Sequence, residues 1–294
     1  SPSWASHSAS PTLDGSASAS GTASPPGGAS PSGGAGASTI AASLAWTFAQ
    51  VQGHQTGLLD LDVHFGTAAL AMDLEPGRGL TDAIDNPSRI DGLFIERAMI
   101  KANERLSILS AEAPMNSPVL TDGTAFFQLQ EEFRAAFENT VIDMPRSMLI
   151  AYPHLMNDVN IAVVTTELTL ASARDSIRVL AWLKQNAPQC KVLVVANNVQ
   201  SAVVEITRKD FESTIERKID LLLPADPKSV AQAAKLGQPV VEAIRGSKLS
   251  TGIISLAEIV ASSFAEMSDA APADAKIPPK KTVFASFKSM LKTK

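Results

Sequence analysis

The chain has a single cysteine, Cys190, in 294 residues. One copy can therefore build no disulfide framework, no four-cysteine zinc site and no cysteine-held cluster. It has no uninterrupted apolar run near the ~18 residues that cross a bilayer, and its N-terminus lacks the charged start and apolar stretch of a secretory signal. Positive charge is scarce too. Asp and Glu outnumber Lys and Arg, for a formal net charge of −5, which excludes a nucleic-acid surface built on net positive charge. His7, His54 and His154 are not at ligand spacing, so no metal site is assigned to them. These absences point to a soluble protein of a reducing, cytoplasmic compartment, with no nucleic acid as partner.

What is present changes abruptly along the chain. Residues 1–31 are almost entirely Ser, Ala, Gly and Pro. Such a segment carries too little apolar surface to offset its ordering entropy, and its composition predicts disorder. From Ile40 onward short apolar runs alternate with longer segments of helical period. That is the pattern of an α/β domain, a mostly parallel central sheet with helices on both faces. Strands are expected at 57–62, 106–111, 139–143, 160–166, 191–197 and 219–223. Helices are expected at 38–52, 124–137, 147–157, 169–186, 207–217, 227–236 and 251–267. Residues 268–279, rich in Ala, Asp and Pro, read as a linker to a short basic tail at 280–294.

Three segments carry chemistry. The first is Ser32-Gly33-Gly34-Ala35-Gly36-Ala37-Ser38-Thr39, which opens directly into a helix. Glycines let backbone N–H groups turn toward a polyphosphate, and a helix N-terminus behind them adds free donors and the positive end of its dipole. The plainer alternative is that the Ser/Gly/Ala linker simply runs on to this point. The second is the strand Leu58-Leu59-Asp60-Leu61-Asp62 and the third is Val141-Ile142-Asp143-Met144-Pro145. Acids at the carboxyl ends of parallel strands face the crevice where ligands bind in open α/β sheets, and there they can hold a metal or orient a water. Singly, each could instead cap a helix.

The order Gly-Gly-x-Gly-x-Ser-Thr, Leu-Asp-x-Asp, Ile-Asp-x-Pro resembles the deviant-Walker, MinD/ParA-like P-loop NTPases. The phrase from Leu59 through Asp60, Asp62, His64 and Gly66 to Pro76 is similar to the CpaE/TadZ pilus-assembly proteins in particular. So are Ala111-Glu112-Ala113-Pro114 and Leu223-Pro224-Ala225-Asp226-Pro227-Lys228. The resemblance runs through a domain at 32–267. It implies that Gly33, Gly34 and Gly36 cradle phosphates of ATP, with Ser38 and Thr39 meeting Mg2+ and the α-phosphate. It also implies that Asp60 supports the metal site, that Asp62 orients the attacking water and that Asp143 is the Walker B acid. Asn197 matches an asparagine that reads adenine, with an Asx turn as the simpler alternative. Pro224 falls where the backbone lines the base.

The chain departs from that family in three ways. Ser32 and Ala37 stand where a full deviant Walker A motif has lysines that neutralise charge on the transferring phosphoryl group, so hydrolysis is expected to be weak or absent. Pro31 holds the position of the motif's first glycine and can donate no N–H. Residues 20–30, where the family has a buried strand, contain prolines and glycines that cannot make one. The first strand is therefore expected to be missing or degenerate, leaving a gap or a foreign segment in the sheet beside Asp60.

The resemblance implies an ATP-dependent homodimer acting as a localisation and assembly factor for Flp/Tad pili, with other pilus-assembly proteins as partners. An active ATPase that regulates position at the membrane, or a scaffold that has lost nucleotide binding, are the alternatives. In the tail, helical spacing places Phe284, Phe287 and Leu291 on one stripe, with Lys281, Lys288 and Lys292 mostly opposite. That pattern suits a helix resting on anionic lipid at the inner face of the membrane or a cell pole. Docking on a pilus protein, or folding back on its own domain, would use the same residues.

Overall fold

A computed structural model describes residues 35–116, 121–200 and 205–270, the last three of these as backbone only. Seven strands are described: β1 (Thr56–Asp60), β2 (Ile100–Lys101), β3 (Leu106–Leu109), β4 (Asn139–Asp143), β5 (Ile161–Thr166), β6 (Lys191–Val199) and β7 (Leu221–Pro224). The helices among them are α1 (Ala37–Trp46), α2 (Gly79–Asp85), α3 (Gly92–Ala98), α4 (Thr124–Ala136), α5 (Arg146–Ala151), α6 (Leu170–Asn186), α7 (Arg208–Thr214), α8 (Pro227–Leu236), α9 (Val240–Ala243) and α10 (Lys248–Ala270). All strand pairs are parallel except the short β2, which lies antiparallel on β3.

Period-2 alternation in β1 sends neighbouring leucines to opposite faces. Leu58 packs with Ala41, Ala42 and Ala45 of α1. Leu59 packs with Phe126, Leu129 and Phe133 of α4. Further along, Ile40, Leu44 and Phe48 join Leu193, Val195 and Leu223 beneath Ile253 and Leu256 of α10. Helices thus cover both faces, as the alternating pattern implies. By length and composition α10 could cross a membrane, but its apolar stripe is buried on β6 and β7 as a core helix.

Several expected boundaries move for local reasons. The helix expected at 147–157 breaks into α5 and a 3-10 turn at Pro153–Met156, because a residue before proline is pushed out of the helical region and Tyr152 sits at φ −133°. The last turn of the helix expected at 38–52 widens to a π turn at Thr47–Val51, where Thr47 Oγ1 donates to the Ser43 carbonyl at 2.7 Å. The strand expected to reach Asp62 ends at Asp60, since the Asp62 N–H turns back to the Asp60 carboxylate. The short α2, α3 and α9 escape periodicity analysis because four to seven residues are too few to display a helical face.

Among the described residues the sheet is in two parts, β2-β3-β1-β4 and β5-β6-β7. The segment expected to leave a gap, residues 20–30, lies outside the described residues. Strand β1 is paired on both sides, to β3 and β4. Among the described residues the edge strands are β2, β4, β5 and β7. Burial follows the pairing: every residue of β1 is buried, whereas β4 and β5 are half-buried along all but their last residue.

Candidate functional site

The carboxyl ends of the parallel strands bring the sequence-predicted residues to one edge of the sheet, and α1 starts there. Gly36 caps α1 with φ +79°, a left-handed conformation that glycine adopts without strain. A Cβ on Gly36 would meet Asn197 Nδ2 at 2.5 Å. Asn197, buried at the upper end of β6, donates that amide to the Ala35 carbonyl at 3.0 Å. In this structure, then, Asn197 holds the loop that leads into α1. No side chain caps the first N–H groups of α1, so they remain free to receive an anion.

Two buried acids lie beside that helix end. Asp60 is fully buried, and its oxygens accept from the Asp62 N–H at 3.1 Å and the Ala68 N–H at 3.0 Å. These bonds fold residues 61–68 into a loop over the end of β1. Burial is the largest influence on Asp60 and raises its pKa to about 6. The Ala68 bond opposes this, and the Asp143 and Asp62 charges add to it. Asp143, also buried, is raised chiefly by burial, while the Ser38 hydroxyl donates to it and favours the charged form. Asp62 accepts from the Phe65 N–H at 3.1 Å and lies in the loop rather than on the strand. Among the described residues no ion pair reaches any of these three acids, and no group of three His, Cys, Asp or Glu is arranged to hold a metal.

Of the remaining sequence-predicted residues, Thr39 is exposed on the first turn of α1 and Pro224 ends β7 in register with Val199, two residues past Asn197. Asp226 follows, capping α8 through the Ser229 N–H at 3.0 Å. Gly33 and Gly34, with Ser32, lie outside the described residues, as do the segment 1–31 and the tail 280–294. Two participants escaped the sequence reading. Gly66 leaves no space for a Cβ, which would stand 2.6 Å from Asp60 Oδ2. Ser110, one residue beyond β3 and buried, has a hydroxyl with no partner among the described residues. A glycine following an acid in a predicted loop was the available signal for the first; the second had none.

These residues fit a nucleotide with Mg2+ on two counts. Free donors at a helix N-terminus suit phosphate, and two buried acids with raised pKa and no protein cation suit a divalent ion.

No family model matches the chain. It is 24% identical over 211 residues to the septum site-determining protein MinD of Bacillus subtilis, across 70% of this chain and 77% of that one. Among solved structures it is similar to a ParA family ATPase of Chlorobium tepidum (TM-score 0.70, 20% identity, 77% of this chain and 93% of that one). It is similar also to a MinC:MinD cell division complex of Aquifex aeolicus (0.64, 19%, 78% and 92%). A third is MinD of Pyrococcus horikoshii complexed with Mg-ADP (0.61, 19%, 80% and 94%). These structures establish the fold as that of MinD/ParA-like P-loop NTPases.

Proposed function

We propose that the chain is an ATP- and Mg2+-binding localisation and assembly factor of the MinD/ParA-like type, serving Flp/Tad pilus biogenesis and hydrolysing ATP weakly or not at all. The observation that carries the nucleotide reading is the uncapped N-terminus of α1, at the end of the sheet where the buried acids Asp60 and Asp143 close the paired strands β1 and β4. Ser38 and Asp143 would hold the ion, Asp60 would keep the loop 61–68 in place, and Asp62 would face the attacking water. Asn197 and the backbone at Pro224 would flank the base once the amide of Asn197 leaves Ala35. The pilus assignment rests on the Leu59-to-Pro76 phrase and the Leu223–Lys228 phrase. On this reading the protein works in the cytoplasm, at the inner face of the membrane or a cell pole, as an ATP-dependent dimer that recruits pilus-assembly proteins. The dimer is supported by exposed Phe65, Leu70, Met115, Ile150 and Leu170, which follow the upper ends of β1, β3, β4 and β5 around the site.

A working ATPase that regulates position is the second reading, favoured by the intact set Asp60, Asp62 and Asp143. Titration of the protein with ATP and Mg2+, with turnover measured separately, divides the two. The expected result is binding that Ser38→Ala and Asp143→Asn both weaken, with turnover far below about 1 per second. Turnover near that rate, abolished by Asp62→Ala, would establish the second reading. No binding at all would remove both.

A further inference from the structure

Three neighbouring strands send a polar side chain to the same face of the sheet at their carboxyl ends. Leu58, Ile108 and Val141 pack on the side of α1, with Ala41, Ala42 and Ala45. Their successors Leu59, Leu109 and Ile142 pack on the opposite side, against α4. Period 2 returns the next residues, Asp60, Ser110 and Asp143, to the α1 face. Leu61 and Ala111 lie again in the α4 cluster, so the alternation holds past Asp60 and Ser110. The bond from the Ala68 N–H to Asp60 agrees, since Ala68 belongs to the cluster beneath α1. Register sets the three side by side. Asp60 pairs with Asp143 across β1 and β4, and Leu59 pairs with Leu109 across β1 and β3, which leaves Ser110 next to Asp60. The row Ser110, Asp60, Asp143 thus crosses three strands at spacings of about 5 Å.

Ser110 is the member of this row whose side chain is left over. It is 2% exposed, and its hydroxyl has no partner among the described residues. Ser43 Oγ, Asn103 Nδ2 and Gln128 Oε1 share that condition, but they lie within α1, in the turn between β2 and β3, and within α4. Ser110 alone among them stands at the carboxyl end of a strand, beside two buried acids. A buried hydroxyl without a bond disfavours the folded state unless another state of the protein uses it. The group it can serve is Asp60. Each Asp60 oxygen accepts one backbone N–H, from Asp62 and from Ala68, and each retains capacity for a second donor. A hydroxyl one strand away reaches that capacity by a change of rotamer.

We propose that Ser110 is a further positioning residue of the nucleotide site, whose hydroxyl donates to the Asp60 carboxylate when Mg2+ is bound. The proposal rests on the Mg-ATP reading above. Ser110 touches neither ion nor nucleotide. It fixes Asp60 from the β3 side, and Asp60 holds the loop 61–68 that carries Asp62. Groups that orient a metal-site carboxylate in this way act on metal affinity without contacting the metal. Because the hydroxyl gains its partner only in the loaded site, Ser110 favours binding at the expense of the free protein's stability.

Ser110→Ala separates this role from packing. The full-length variant and the wild type are compared by thermal melting in EDTA, by calorimetric titration with ATP in EDTA, and by titration with Mg2+ at saturating ATP. In EDTA the variant should melt at or above the wild-type temperature, since it loses only an unbonded hydroxyl, and it should bind ATP as the wild type does. Its half-saturating Mg2+ concentration should rise about tenfold. An unchanged Mg2+ requirement in a protein whose wild type responds to Mg2+ would overturn the proposal alone. A lower melting temperature in EDTA, with ATP binding weakened equally with and without Mg2+, would overturn it also and assign Ser110 to packing. A wild type whose nucleotide binding ignores Mg2+ would remove the Mg-ATP reading and the proposal with it.

Discussion

Asp60 and Glu212 are both carboxylates drawn almost wholly out of water, the first fully buried and the second with 9% of its surface exposed, yet they lie at opposite ends of the acidity scale. Around Glu212 the protein supplies everything a carboxylate wants. The Ile219 N–H donates at 3.0 Å, Arg208 pairs at 2.9 Å and Lys218 at 3.0 Å, holding the pKa at about 2. Around Asp60 it supplies two backbone donors and two more acids, and burial lifts the pKa to about 6. Glu212 fastens α7 to the segment that leads into β7. Asp60 sits in a region short of positive charge, where a bound cation would offset the cost of burying it.

The largest expected effect breaks this contrast at Asp60. A carboxyl whose pKa is raised on folding binds more protons in the native than in the unfolded state, so the stability that Asp60 contributes is fully present below pH 3.8 and is lost as pH rises through about 6. The size of the shift corresponds to on the order of 3 kcal/mol between those limits. Urea denaturation in EDTA from pH 4 to 8 should show this decline in the wild type, and Asp60→Asn should flatten it. A parallel slope in both proteins would mean that Asp60 ionises at no cost.

A smaller effect comes from the loop that Asp60 holds. Gly66→Ala would push a methyl against the Asp60 carboxylate and the Asp62 carbonyl, at 2.6 and 2.7 Å. Neither can retreat, because both belong to the same closed loop. A destabilisation of about 1–3 kcal/mol is expected, with loss of Mg-ATP binding exceeding the loss of stability. Thermal melting and nucleotide titration of the variant check this; unchanged binding would show that the loop does not shape the site.

The smallest effect lies on the other side of the comparison. Glu212 has a lowered pKa, so the stability that it contributes is present above pH 4.5 and is lost only as pH falls toward about 2. Its response is therefore opposite in sign to that of Asp60 and confined to strong acid. Glu212→Gln should be less stable than the wild type at pH 7, and the difference should shrink below pH 4. A difference that persists at pH 2 would assign the role of Glu212 to packing rather than charge.

Much of the molecule was legible in the residues. Strand β4 and helix α8 occupy the expected residues, because their alternation and their Pro and Asp boundaries are local signals. The acids Asp60 and Asp143 could be placed at strand ends for the same reason. Asn197 could be placed near the end of its strand, but its partner was not legible: the amide meets Ala35, 162 residues earlier in the chain.

The sequence by itself determined where most of the longer strands and helices lie. Each of these follows from side-chain period and backbone freedom within a few residues. Only the tertiary structure decided the order of the strands. Strand order is set by which apolar faces pack across the chain, so β1, the first strand described, lies between β3 and β4. The acidity of Asp60 was decided in the same way, since burial by elements distant in sequence, rather than its neighbours along the strand, is what raises it.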